Sequence, residues 1–452
     1  MSLFRFMKDR RGGVAPMFAL AIIPVFGLVG AAVDYSRGNS IRAGMQSALD
    51  ATALAMAKIA PGLTEAELKQ KSNDYFKSMF NHPDAKNLDI KPNYTTTGGS
   101  QLVISVSGSM DTSFMKLMGF SSLNIGSTST VKWGNSRLRV ALALDNTGSM
   151  SDDGKMAALK DATNKLLTQL KNAATNTADV YVSIIPFSKD VNVDPSNRSA
   201  NWIDWTDWNA KNGTCKDYDG RNEPSNESSC ENAGGNWKRA KHSTWNGCVT
   251  DRGNSNAPSS GNYDTKVTTP SSSTPATQFS AEQYDACPQA ALPLTNTWST
   301  MTTLVTNMTP DGNTNQGIGL AHAWMSLVGG GPYPTPPAKD TNYTYQDVII
   351  LLTDGLNTEN RWYRDQNSID TRQQMTCDNI NAANITLYTI HVNTGGDPAS
   401  QLLKNCAGTA PSPGVARRYP DPDKNFTVTS SSGIGTVFNQ IGTNLSKLRI
   451  AK

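Results

Sequence analysis

Val14 to Val33 is a run of twenty residues without a charge, and no other segment limits the fold of the chain as strongly. As a helix rising about 1.5 Å per residue it spans about 30 Å, the thickness of a bilayer's hydrocarbon core. Inside a bilayer only a helix or a closed barrel satisfies its own backbone, so the run reads as a transmembrane helix. Arg5, Lys8, Arg10 and Arg11 precede it, which predicts a cytoplasmic N-terminus at 1–13, a span at 14–33 and export of everything after Asp34. A cleaved signal peptide is the rival reading. The run is longer than a usual signal core, and helical spacing continues beyond it through Arg42, Met45, Leu49, Ala53, Leu54 and Met56. That continuity favours a retained anchor.

Length and charge narrow the rest. A chain of 452 residues has room for two or three domains. Its net charge is +3, with no basic run apart from the cluster before the apolar segment, so nucleic-acid binding has no support. The four histidines (His82, His242, His322 and His391) belong to no metalloprotease or triad-like motif, and the chain has no phosphate-binding Gly-Lys-Ser/Thr loop. Six cysteines, Cys215, Cys230, Cys248, Cys287, Cys377 and Cys406, all lie on the exported side, where an even count suggests three disulfides. Neighbour pairing (215–230, 248–287, 377–406) is the expectation among the fifteen connectivities possible.

Two β-branched and leucine-rich runs, Val140 to Leu144 and Val348 to Thr353, read as buried parallel strands. Asp145-Asn146-Thr147-Gly148-Ser149 follows the first and Asp354-Gly355 the second, while Thr314-Asn315 precedes a helix predicted at 316–327. Ligands bind outside the carboxyl ends of strands in open α/β sheets, so these loops converge on one place. Carboxylate and hydroxyl oxygens there suit a hard divalent cation. Met156, Leu159, Ala162, Leu166, Leu167 and Leu170 mark an amphipathic helix, with Lys155, Lys160, Asp161, Lys165 and Lys171 on its other positions. Asp152 and Asp153 read as residues capping its start. Strands at 180–187 and 385–392 and a closing helix through Val437, Phe438, Ile441 and Leu445 complete an alternating α/β pattern.

These three segments resemble the von Willebrand factor type A domain and its metal-ion-dependent adhesion site. The resemblance implies a doubly wound, mostly parallel α/β sheet of Rossmann-like kind. It also implies that Thr147 and Ser149 touch the metal, that Asp145 and Asp354 hold it largely through water, and that Thr314 is a third, switchable hydroxyl. The cation would be Mg²⁺, with Mn²⁺ or Ca²⁺ as alternatives, and its open position would accept a partner's carboxylate. Arg10-Arg11-Gly12-Gly13-Val14-Ala15, Ala31-Ala32-Val33-Asp34-Tyr35-Ser36-Arg37 and Gln46 to Ala55 are similar to TadG-like proteins of Flp (tight adherence) pilus assembly. Leu402 to Ala407 and the last helix match the same family's C-terminal pattern.

That likeness implies a small α+β pilin-like region at 34–135 and an A-type domain at 136–452, carrying a disulfide-containing insertion at about 190–300. The expected function is metal-dependent protein binding in pilus assembly or anchoring, without catalysis. Partners would be pilus or secretion-platform proteins, the membrane and a second copy of the chain as a homo-oligomer; the location would be a bacterial inner membrane with the main domain periplasmic. A surface adhesin that binds a host or matrix ligand is the alternative, and a metal-dependent hydrolase the weaker one, since no general base accompanies the site. The tryptophans of the insertion (Trp202, Trp205, Trp208, Trp237 and Trp245) read as the core of a stapled unit, with a partner- or glycan-binding surface as the other reading.

Overall fold

The computed structural model describes residues 14–96, 100–133, 136–253, 269–341, 343–412 and 414–450. The basic cluster Arg5 to Arg11, with Gly12 and Gly13, lies outside these described residues. The chain divides into two compact units, with the boundary between Asn135 and Ser136.

The first unit begins with one continuous helix, α1 (Val14–Ala57), which carries Pro24 in its interior. Beyond the apolar run its face repeats at helical spacing. Ile41, Met45, Ala48, Leu49, Ala53 and Met56 are buried together with Leu102, Ile104, Val106 and Ile125 of a sheet. Leu54, expected on that face, is exposed. A second helix, α2 (Glu65–Met79), starts on a reciprocal cap: the Thr64 hydroxyl accepts the Glu67 amide, and the Glu67 carboxylate accepts the Thr64 amide. The sheet is an antiparallel meander of β1 (Ala85–Thr95), β2 (Ser100–Asp111) and β3 (Ser122–Trp133), with β2 central.

At the end of the apolar run Asp34 is fully buried and accepts three backbone amides, those of Ser113 (3.0 Å), Phe114 (2.8 Å) and Met115 (2.8 Å). One carboxylate thus fixes the β2–β3 connection to the helix.

The second unit is a mixed α/β layer structure. Its sheet runs, in spatial order, through β10 (Cys248–Val249), β6 (Val191–Asn192), β5 (Val180–Phe187), β4 (Ser136–Asp145), β13 (Thr344–Thr353), β14 (Thr386–Val392) and β15 (Asn425–Val428), and β12 (Leu292–Thr295) adds to β5. Parallel pairing joins β5, β4, β13, β14 and β15. The short strands β6, β10 and β12 pair antiparallel at the other side. Alternate residues of β4 and β13 face opposite ways. Leu138, Val140, Leu142, Leu144, Val348, Ile350 and Leu352 pack against α3 (Lys155–Ala173), α6 (Trp298–Asn307) and α10 (Ser431–Ile450). Ala141, Ala143, Ile349 and Leu351 pack against α7 (Gln316–Val328), α8 (Gln366–Ala382) and α9 (Gln401–Cys406).

The segment between β5 and α6 carries the small strands β7 (Ile203–Asp204), β8 (Gly213–Lys216), β9 (Asn236–Arg239) and β11 (Phe279–Ser280) and two short helices, α4 (Thr206–Lys211) and α5 (Glu227–Asn232). Cys215–Cys230 and Cys248–Cys287 staple it, and Cys377–Cys406 ties α8 to α9; no cysteine is free. Trp208 and Trp245 are buried in the same core as Ala141 and Ile349, and Trp205 stacks on His242 with ring centroids 3.7 Å apart. Trp208 and Trp245 therefore act as core, with Trp202 and Trp205 half-buried against it, while Trp237 lies outside that cluster.

Asp34→Ala leaves three inward-facing amides without an acceptor, at a cost on the order of 2–3 kcal/mol. Hydrogen exchange on the full chain is expected to accelerate at Ser113, Phe114 and Met115, with strand β1 exchanging as in the wild type.

Candidate metal centre

Strands β4 and β13 lie side by side in parallel, with Leu144 opposite Leu352. Both therefore finish at the same end of the sheet, and the loops that follow them lie side by side. Asp145 is completely buried at the last position of β4. Its Oδ1 accepts the Thr147 amide at 2.8 Å, which bends the loop back toward the strand. Its Oδ2 accepts the hydroxyl of Thr353, the last residue of β13, at 2.6 Å.

Asp354, one residue on, has a buried side chain and divides its oxygens between two donors. The Ser149 hydroxyl donates to Oδ1 at 2.6 Å, and the Lys155 ammonium donates to Oδ2 at 2.6 Å. The Thr147 and Ser149 hydroxyl oxygens are 3.2 Å apart. Four of the five residues expected at the site are thus joined by hydrogen bonds. Thr314 reaches it through its loop instead. The Gly148 amide donates to the Gly312 carbonyl at 3.0 Å, and the Thr314 amide donates to the Thr358 hydroxyl at 2.8 Å. Gly312 holds φ +85°, and a Cβ there would collide with Tyr284, so this loop needs glycine to lie so close. Among the described residues no hydrogen bond joins the Thr314 side chain to the other four.

Two sequence expectations change here. Lys155 sits on a helix position expected to face water, yet it is only 6% exposed and its charge is spent on Asp354. Asp152 and Asp153 do not cap α3. They form a non-helical kink within Gly148–Gly154, Asp152 extended and Asp153 at φ +52°, and the helix starts from Gly154 with no side-chain cap. Thr353 was unmarked as a site residue: a hydroxyl inside an apolar strand carries no signal of its own. Gln316, Asn357 and Gln373 were equally silent. Their buried amides form a chain beneath Gly355: Gln316 Nε2 donates to the Gly355 carbonyl (2.9 Å), Gln373 Nε2 to Gln316 Oε1 (2.9 Å) and Asn357 Nδ2 to Gln373 Oε1 (2.6 Å).

The donor set fits a hard cation. Two carboxylates sit out of water, one of them paired with the Lys155 ammonium, and hydroxyl oxygens stand beside them. Burial and the Asp354 charge push the Asp145 carboxyl up to about 6 despite its two hydrogen-bond donors. A divalent ion would relieve that repulsion. Among the described residues no group of three or more His, Cys, Asp or Glu forms a metal cage, so any ion here depends on the hydroxyls.

A model of the Tad family, described as Flp pilus-assembly TadE/G-like, matches residues 12–58. The start of the chain, through all of α1, is thus similar to that family; the metal-site loops lie outside the match. No curated protein matches the chain. Among solved structures the chain is similar to the pilus adhesin SpaC from Lactobacillus rhamnosus GG, at 12% identity and TM-score 0.38, over 82% of this chain and 34% of the adhesin. The chain therefore spans about a third of that protein's length. It is similar to the PilB minor pilin from Streptococcus sanguinis at 11% identity and TM-score 0.35, over 80% and 79% of the two chains. It is also similar to the vWF domain of the type V pili tip protein Mfa5 from Porphyromonas gingivalis, at 9% identity and TM-score 0.36, over 70% and 97%. These likenesses are loose, and the site stands on its own residues.

The pH response of the metal-free site follows from the raised Asp145. The folded state holds this proton up to about pH 6, the unfolded chain only to near 3.8. The group's contribution is therefore fully present below the unfolded value and is lost as pH rises through the folded one. Unfolding of the wild type in EDTA, compared with Asp145→Asn, is expected to lose about 2 kcal/mol of relative stability between pH 4 and 6.5. A flat difference across that range would refute the shift.

Proposed function

We propose that this chain is a membrane-anchored, metal-dependent protein-binding component of Flp pilus assembly or anchoring, similar to TadG-like proteins. In this reading residues 14–33 cross the bacterial inner membrane with the N-terminus in the cytoplasm. Residues 34–135 form a pilin-like stalk, and residues 136–452 form a doubly wound A-type domain in the periplasm. Asp145, Thr147, Ser149, Thr314 and Asp354 would hold Mg²⁺, and an acidic residue of a protein partner would complete its coordination. The chain's role is then to bind and not to transform.

The observation that carries the reading is the pairing of Asp145 and Asp354 at the ends of adjacent parallel strands, with the Thr147 and Ser149 hydroxyls between loop and carboxylate. Hydroxyl ligands leave the ion more charge than a carboxylate cage would, and so suit it to accept a further anion. The Tad-family match over residues 12–58 supports the pilus context. An apolar helix capable of spanning a bilayer supports the anchor. The paired cysteines agree with an oxidising compartment.

Capture of purified pilus and secretion-platform proteins by the detergent-solubilised full chain is the direct test. Binding is expected in Mg²⁺ and is expected to disappear both in EDTA and in Asp145→Ala. Retention in both would sink the proposal. Lys155→Met offers a separate check on the ion. Without metal the variant is expected to lose about 3 kcal/mol, the usual result of breaking a buried pair. Its Mg²⁺ affinity, read by calorimetry, is expected to rise about tenfold because one positive charge in contact with Asp354 has gone.

A further inference from the structure

The connection between β2 and β3 reads Thr112-Ser-Phe-Met-Lys-Leu-Met-Gly-Phe-Ser121. Turns at a protein surface ordinarily show polar side chains to water and leave backbone groups for water to satisfy. This one is inverted. Phe114, Leu117, Met118 and Phe120 are exposed, Leu117 to 86%. The backbone amides meanwhile are turned inward and paired. Those of Ser113, Phe114 and Met115 donate to Asp34. The amide of Thr112 donates to Ser121, Leu117 to Phe114, Gly119 to Lys116 and Phe120 to Met115. The Thr112 hydroxyl closes the ring on the Phe120 carbonyl.

The position of the turn gives this inversion a purpose. Phe114 occupies the space a Cβ on Gly30 would need, and Met118 Sδ lies 3.2 Å from a Cβ built on Gly27. Both glycines belong to the last two turns of the uncharged run. They lie four and seven residues before Asp34, or about 6–10 Å along the helix from it. Around them α1 exposes Phe26, Leu28, Val29 and Val33, so turn and helix make one continuous apolar surface. Most of the large exposed apolar side chains among the described residues fall on this helix or this turn. A soluble monomer rarely tolerates so extended a patch.

We propose that Thr112–Ser121 is a second membrane contact, a foot whose Phe114, Leu117, Met118 and Phe120 enter the same bilayer that the helix crosses. It rests on the reading of residues 14–33 as a membrane span. The occupant of the patch is lipid, in the leaflet on the folded side. A depth of 5–10 Å is where interfacial apolar groups settle. Backbone at that level finds no water, which accounts for a carboxylate that takes three amides at once. Lys116, the turn's one charged residue, is exposed and has the length to return to the headgroup phosphates.

The full chain, reconstituted in phosphatidylethanolamine–phosphatidylglycerol vesicles, tests this with an environment-sensitive fluorophore on one introduced cysteine. L117C reports the foot, L28C the helix and K69C a water-exposed position on α2. The label on L117C is expected to be quenched by nitroxide-bearing lipid, as on L28C, and several-fold less by aqueous iodide than on K69C. If L28C responds to lipid while L117C behaves like K69C, the foot is wrong and the anchor stands. If L117C is shielded from both quenchers, protein covers the patch, a second copy being the first suspect, and the lipid assignment falls. If neither L28C nor L117C responds to lipid, the span itself is wrong and the foot falls with it.

Discussion

Parallel pairing of Ser136–Asp145 with Thr344–Thr353 is the interaction on which the larger unit depends. The two strands share both cores, each presenting alternate residues to helices on opposite faces. A slip of one residue would exchange every inward and outward side chain. It would also part Asp145 from the Thr353 hydroxyl and Asp354 from Ser149, because those contacts exist only when both strands end together. Hydrophobic register and polar geometry are therefore specified by the same pairing. The apolar alternation holds the register, and the loops inherit the alignment.

Two carboxylates withdrawn from water are a liability that such a register creates. The protein offsets it with short-range donors: a hydroxyl and an amide on Asp145, a hydroxyl and an ammonium on Asp354. The balance is incomplete, as the raised Asp145 shows. Lys155 matters most here, since it is the only full positive charge hydrogen-bonded to either carboxylate among the described residues. It holds Asp354 in place and at the same time competes with any cation for one of its oxygens.

How much of this could be read from the sequence depends on what kind of force placed each residue. Long apolar runs announced β4 and β13, and helical spacing announced α3 and α10, because burial leaves a periodic trace. Strand β1 left little trace. It has few apolar residues and carries Pro92, which is tolerated because β1 is an edge strand with only β2 beside it. The strands β6, β10 and β12 are too short for any period to show. Asp145, Thr147, Ser149 and Asp354 were legible because they share compact motifs at strand ends. Lys155 was not, since its position follows the polar side of the helical repeat and its burial comes from a strand two hundred residues away.

The continuity of α1 has a mechanical side. Its packed half lies on a three-stranded sheet from Ile41 to Met56, and Asp34 pins the helix to the β2–β3 turn where the apolar half begins. Beyond Pro24 the helix holds no further proline to act as a swivel. Rotation of the helix after Pro24 about its axis, or tension along it, is then passed to the sheet. The helix and its sheet behave as a shaft keyed to its collar, so torque applied to α1 after Pro24 becomes torque on the folded unit.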